Sequence, residues 1–317
     1  MTAHSIKAPK TSWLERLIKY VCSNATFYVL LSPALIYSFV YCYMTLPFIY
    51  IAFTKYSFMD GIFGSPFIGL KNFEFFFKSQ AAFTVTWNTI KFNLLGLFMG
   101  TVLALALAIL LSEVAGKRFV KAAQSVILFP YFISWVAVQF FMNNLLASNN
   151  GMVNALLKSL GASPVRWYSS PEPWTWIITL VILWKGSGMN SVIFLAAITG
   201  IDQELYEAAR IDGSNRWQNV IYITIPSLLP TVCVLLLLGL GRVFYGDFGM
   251  MYALVGDNGV LYQTTDIIDT YVYRALRKTG DPSVAMAISL VQSLLGFAMV
   301  LLTNQTVKKT YPEGAIF

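Results

Sequence analysis

Six long apolar runs limit what this chain can become: Phe27 to Phe53, Trp87 to Leu111, Phe119 to Leu146, Trp174 to Thr199, Pro226 to Met251 and Val284 to Val307. A helix that crosses the hydrocarbon core of a bilayer needs about 20 mostly apolar residues. Each run meets that length. Inside lipid every backbone N–H and C=O must find its partner within the segment, so each run predicts a helix. The composition agrees, with 57% hydrophobic and only 12% charged residues, where a soluble domain carries about 25% charged. The expectation is an all-α membrane protein with six transmembrane helices, short loops and no soluble catalytic domain.

The polar, basic start (Lys7, Lys10, Arg16, Lys19) precedes a first run too long for the apolar region of a secretory signal, which spans about 7–15 residues. It reads as a retained span. Cys22, Cys42 and Cys233 lie in or beside apolar runs without CxxC spacing, so neither a disulfide framework nor a zinc site is indicated. Eleven Lys and Arg flank the runs on the side of the N-terminus, close to span ends, against eight diluted over three longer loops on the other side. The positive-inside rule then puts both termini in the cytoplasm of a multi-pass protein of the bacterial cell membrane. The +7 net charge follows from that rule and from anionic lipid, without nucleic acid. The expected organisation is a cytoplasmic N-terminal segment (1–26), a first transmembrane helix with its outer loop (27–83), a five-helix transmembrane core (84–307) and a cytoplasmic tail (308–317).

Several chemistries are excluded. His4 is the sole histidine, which removes histidine catalysis and histidine metal sites. No G-x-x-x-x-G-K-[ST] loop occurs, so the chain does not cleave ATP by itself. Asp247 is the one acidic candidate within a run, whereas ion-coupled transporters rely on intramembrane acids. An intramembrane enzyme acting on lipid-linked sugar would need a clustered acid and base; Asp266 and Asp269 are the only candidates, and nothing in the sequence activates them.

Between the fourth and fifth runs lies a polar stretch, Glu204 to Pro230. Asp202 can cap a helix whose body runs from Leu205 to Ile211. Leu205, Ala208 and Ala209, at i, i+3 and i+4, share one face and make a small, nearly flat apolar patch. Gly213 follows where a helix C-terminus commonly needs a left-handed residue. Ser214 then caps a second short helix, Arg216 to Ile223, and Pro226 suits the first turn of the fifth span. A helix–bend–helix outside the bilayer is expected, with alanines that let another protein approach closely.

The pattern Glu207-Ala208-Ala209, then Asp212-Gly213, then Ile223, Ile225 and Pro226 resembles the EAA loop of permease subunits of binding-protein-dependent ABC importers. Ile225 stands where that family more often has Leu. The resemblance extends along the chain. Leu31-Ser32-Pro33-Ala34, Phe67-Ile68-Gly69-Leu70-Lys71-Asn72-Phe73 and Ile201 to Tyr206 look like the carbohydrate branch. Phe129 to Trp135 and Asp266 to Arg274 are similar to its polysaccharide and complex-oligosaccharide subgroup. It implies the type I ABC importer permease fold, with the coupling helices cytoplasmic between spans four and five. Glu207, Ala208, Ala209 and Gly213 would dock in a cleft of a separate ATPase. It further implies a second permease subunit, two ATPase subunits holding ATP and Mg, an extracytoplasmic solute-binding protein and a saccharide substrate. No cofactor, catalytic residue or metal is expected on this chain. Glycerol phosphate or peptide is the alternative solute.

Two interruptions mark a candidate substrate path. Lys185, about 16 Å into the fourth span at 1.5 Å per residue, follows Trp184 and precedes Gly186-Ser187-Gly188-Met189-Asn190. A helix loosened there is expected. Arg242, Tyr245 and Asp247 interrupt the fifth span in Gly239-Leu240-Gly241-Arg242-Val243-Phe244-Tyr245-Gly246-Asp247. Broken helices at matching depths are where transporter paths lie. Two readings are open for these cations: a water-filled path in which they favour an acidic saccharide such as a uronic-acid oligomer, or pairing with carbonyls or with Asp247. Lys91, near a span end, is expected to snorkel to the interface. The loop 252–282 reads either as a contact for the solute-binding protein and a gate, or as a solvated cap.

Overall fold

A computed structural model describes residues 13–310, so the readings of His4, Lys7, Lys10 and the tail beyond Thr310 lie outside the described residues. The chain divides into two units, Met1–Tyr50 and Ile51–Phe317.

In the first unit α1 (Trp13–Ser23) stops at Asn24, whose side-chain amide donates to the Tyr20 carbonyl at 2.9 Å. Next comes α2 (Ala25–Ser38), then a π-turn over Phe39–Tyr43 and a 3-10 segment over Leu46–Phe53, whose last three residues belong to the second unit. Together Ala25–Phe53 is long and apolar enough to cross a membrane, in agreement with the first predicted run. Pro33 removes one N–H from the helix interior, and the Ser32 hydroxyl donates to the Val29 carbonyl at 2.8 Å beside it. No side chain of α2 is buried.

The second unit is built round α3 (Gln80–Glu113), capped by Ser79, whose Oγ accepts from the Ala82 N–H at 3.1 Å. Its neighbour is α6 (Trp174–Thr199). Ala104 and Ala108 are small, and Phe194 of α6 is fully buried in the same cluster. Small residues at such seams let helix backbones approach within lipid, where apolar side chains gain nothing merely by leaving water. Toward the other end Phe92, Val138, Trp174, Ile178, Leu254 and Leu261 form a second buried cluster. Among the described residues five helices are long and apolar enough to cross, and a bent pair makes a sixth if it counts as one span.

That bent pair corrects the third predicted run. Instead of one helix, α4 (Lys117–Phe132) and α5 (Trp135–Leu146) meet at 95°. Pro130 lies near the end of α4, and Ser134 is extended with its Oγ accepting from the Ala137 N–H at 3.2 Å, so one helix is terminated and the next is capped within four residues.

The fifth predicted run is corrected at both ends. Its helix α8 (Arg216–Leu240) already begins in the polar link, and a π-turn over Val220–Thr224 carries it past Pro226 without a break. It stops at Leu240, and Met251 belongs to a separate helix, α9 (Phe248–Val255). Between them 241–247 is irregular. The fourth run holds as one helix: α6 is continuous from Trp174 to Thr199, so the expected loosening at Gly186–Gly188 does not occur. A Cβ at Gly188 would sit 2.1 Å from the Ile127 carbonyl oxygen, which shows that the glycine serves a close approach of α4 to α6. The loop 252–282 carries α10 (Ile268–Arg277), and α11 (Pro282–Thr310) completes the unit.

Candidate translocation cavity and docking loop

A cavity of about 880 Å³ opens where the two irregular spans face α3 and α6. Four of the residues expected on a path line it: Lys185, Arg242, Tyr245 and Asp247. Trp184 does not; it points into a separate, wholly apolar cavity of about 530 Å³ with Phe141 and Leu180. Asn190 is exposed and lines neither.

The two cations play different parts. Lys185 Nζ donates to the carbonyls of Pro130 (3.1 Å), Tyr131 (2.9 Å) and Ile133, and stands 4.8 Å above the Trp135 ring. These carbonyls lie at the end of α4, where the helix supplies no i+4 N–H; that of Pro130 also accepts from the Ile133 N–H at 3.2 Å. A cation at a helix C-terminus also meets the negative end of the helix dipole. Lys185 is therefore a cap for the α4–α5 corner, and the carbonyl pairing left open by the sequence is the arrangement found. Arg242 is exposed. Among the described residues no ion pair or side-chain hydrogen bond engages its guanidinium, which carries five donors; the residue lines both this cavity and a neighbouring one of about 410 Å³ with Val300 and Thr303.

The break at 241–247 is held from four sides. Asn93 Nδ2 of α3 donates to the carbonyls of Val243 and Tyr245, each at 3.1 Å. Gln292 Nε2 of α11 donates to the Phe244 carbonyl at 2.8 Å, and Asp269 Oδ2 of α10 accepts from the Gly246 N–H at 2.8 Å. Asp247 Oδ1 caps α9 by accepting from the Met250 N–H at 2.8 Å, and its Oδ2 accepts from Trp135 Nε1 at 3.0 Å. Irregular backbone at membrane depth is tolerated where it lines a cavity and protein groups satisfy it. Burial raises the Asp269 carboxyl above the ordinary carboxylate range, opposed by the Gly246 N–H and Gln292.

The acids once open to a catalytic reading are occupied. Asp266 takes a two-pronged ion pair from Arg274, with Nη1 to Oδ1 at 2.9 Å, and accepts from the Thr270 hydroxyl at 2.6 Å. Asp269 is held as described. These contacts hold Asp266 within the loop 252–282 and tie Asp269 of that loop to the break at 241–247. Lys91 does not snorkel: its Nζ donates to Asn88 Oδ1 (3.0 Å), Thr175 Oγ1 (3.3 Å) and the Thr264 carbonyl (3.3 Å).

Far along α8 from this cavity lies the polar link. Asp202 caps α7 (Gln203–Ile211), its Oδ1 accepting from the Glu204 N–H at 3.0 Å. Gly213 has φ of +81°, and the Ser214 N–H reaches back to the Ala209 carbonyl at 2.9 Å, closing the helix as a left-handed glycine does. The second cap is Asn215, not Ser214: Asn215 Oδ1 accepts from the Gln218 N–H (2.9 Å) while Gln218 Oε1 accepts from the Asn215 N–H (2.7 Å). Ser214 Oγ instead donates to Asn219 Oδ1 at 2.6 Å. No residue of α7 is buried, and Leu205, Glu207, Ala208, Asp212 and Gly213 are exposed. Ala209 and Ile223 are half-buried, and Pro226 is exposed. The Tyr206 hydroxyl meets Thr224 Oγ1 at 2.9 Å and sets α7 against α8, a role the sequence pattern did not assign. Beside the alanines Ile211 is 87% exposed and Trp217 72%, so the outward surface is apolar and open.

Comparison with known proteins agrees along nearly the whole chain. The polygalacturonan/rhamnogalacturonan transport system permease protein YteP of Bacillus subtilis (strain 168) is 33% identical over 300 residues, covering 95% of this chain and 93% of that one. Protein LplB of the same organism is 31% identical over 303 residues, covering 96% and 93%. Among solved structures, a chain of a bacterial ABC transporter involved in the import of the acidic polysaccharide alginate superposes with a TM-score of 0.85 at 30% identity. It covers 94% of this chain and 100% of that one. A second, of a bacterial alginate ABC transporter in complex with alginate pentasaccharide-bound periplasmic protein, gives 0.84 at 30% identity over 93% and 98%. The ABC importer permease fold expected from the sequence is therefore the fold observed. Residues 96–309 match the family described as binding-protein-dependent transport system inner membrane component, and this multi-pass membrane chain belongs to that family.

Proposed function

We propose that this chain is one half of the channel of an ATP-driven importer for an acidic oligo- or polysaccharide, delivered by an extracytoplasmic solute-binding protein. The observation that carries the reading is Arg242, exposed on the wall of a cavity of about 880 Å³ and, among the described residues, in no ion pair. A planar cation with unused donors suits a uronate carboxylate, which it can meet through two parallel hydrogen bonds. Transport systems for polygalacturonan and alginate among the similar proteins support the same class. Tyr245 and Asp247 supply further polar contacts on the wall.

The face of Leu205 and Ala208, both exposed, with the half-buried Ala209, aimed by Gly213 and flanked by Glu207, Asp212, Ile223 and Pro226, is the docking surface for a separate ATPase. One chain offers one such helix, so a second permease completes a pair over two ATPases, which hold the ATP and Mg. The loop lies in the cytoplasm with both termini, and the bundle meets lipid. Closure of the ATPases would bring the docking helices together and tip the bundle between inward- and outward-open states.

Uptake by cells bearing the transporter tests the solute class. Oligogalacturonates and oligomannuronates are expected to enter, and neutral oligosaccharides of equal length to enter poorly. Uptake of glycerol phosphate or peptide in their place would overturn the saccharide reading.

A further inference from the structure

Phe248 lines the cavity and opens α9, and one turn further along the same face stands Tyr252. Their rings stack at 5.3 Å with 19° between planes. Tyr273 of α10 closes the group, 4.9 Å from Phe248 and 5.2 Å from Tyr252, nearly edge-on to the latter. The cluster is not sealed into the core: Tyr252 is 38% exposed, and the other two are half-buried. Next to it Lys278 and Asp257 pair at 2.9 Å on the surface, with Lys278 54% exposed. The cavity wall therefore continues away from the docking loop as a three-ring surface with a charged edge.

Size gives this surface a use. This chain's share of the path, a cavity of about 880 Å³, lies within the ~300–1,000 Å³ range that holds one drug-sized ligand, so the units of a longer saccharide extend beyond it. Phe248 is the lining residue that joins the cavity to the ring cluster, which offers those further units a surface. Pyranose rings present a C–H face to aromatic rings and their hydroxyls and carboxylates to the sides, where Lys278 stands. Resting on the saccharide reading above, the geometry points to Phe248, Tyr252 and Tyr273 as a stacking subsite for the sugar units that trail the one inside the cavity. The cluster would set the transporter's preference for chain length.

Uptake kinetics of digalacturonate and hexagalacturonate by the complete transporter test this. Tyr252→Leu keeps apolar bulk but removes the ring; it should raise KM for the hexamer about tenfold, the scale of one lost aromatic contact, and KM for the dimer less than about twofold, with kcat unchanged. Tyr252→Phe should restore both values. Tyr273→Leu, on a different helix, should show the same length dependence. Equal shifts for both lengths, no shift, or failure of the Phe variant to restore would overturn the subsite. Those results, with wild-type uptake intact, leave the saccharide reading standing; a wild-type transporter that imports neither galacturonate overturns both.

Discussion

Trp135 Nε1 donates to Asp247 Oδ2 at 3.0 Å, and the two residues belong to different interrupted spans. Trp135 begins the helix after the 95° corner of the third span, and Asp247 ends the irregular stretch of the fifth. The bond thus ties two breaks together in the wall of one cavity. Trp135→Phe removes a hydrogen bond to a carboxylate while keeping an aromatic ring. It should cost on the order of 1 kcal/mol and lower the melting temperature of the purified complex by about 2–4 °C. A thermal shift assay checks it.

Lys185 is expected to matter for stability and not for substrate choice. Lys185→Met removes the ammonium that three carbonyls at the end of α4 share, at a cost of roughly 1–3 kcal/mol. The complex should melt several degrees lower, while the ratio of acidic to neutral saccharide uptake stays at the wild-type value. A changed ratio would place Lys185 on the substrate.

Arg242→Gln tests the other cation. Its guanidinium caps nothing among the described residues, so the fold should be unaffected. Loss of a charge-assisted contact worth about 1.5–3 kcal/mol predicts a KM for acidic oligosaccharide raised at least about tenfold. Uptake of any neutral analogue should change little.

Asp269 gives a pH dependence with a defined sign. Burial raises its folded-state carboxyl above the ordinary value of 3.8, so the folded state holds the proton more tightly than the unfolded chain. Its contribution to stability is complete below 3.8 and declines as pH rises through the raised value. Asp269→Asn does not titrate. The difference in melting temperature, wild type minus variant, should therefore fall as pH rises across that window.

Much of this was legible in the sequence because membrane helices and helix ends carry local signals. Gly213 was placed at its left-handed turn by the helix formers before it, and the interruption at 241–247 by glycines and charges within an apolar run. Contacts between distant segments left no such trace. The 95° corner is hidden because Phe119 to Leu146 is apolar on both sides of it; only Pro130 and the capping Ser134 hinted at the break. Lys185 finds backbone carbonyls 52–55 residues away, and a carbonyl has no side-chain signature. That Trp184 faces the apolar cavity is not legible in the sequence, because a helix apolar all round gives no phase. The second cap fell to Asn215 because Gln218, three residues on, completes a reciprocal pair that Ser214 lacks.

The central claim, that the chain draws on ATP through its exposed loop, is tested most directly by purifying the complex with and without Glu207→Lys combined with Gly213→Pro. The wild-type chain should bring down an ATPase whose hydrolysis rises when saccharide-loaded binding protein is added. The double variant should lose the ATPase, the stimulation and uptake together, while remaining folded in the membrane. A wild-type chain that recovers no ATPase, with uptake intact in the double variant, would contradict the account.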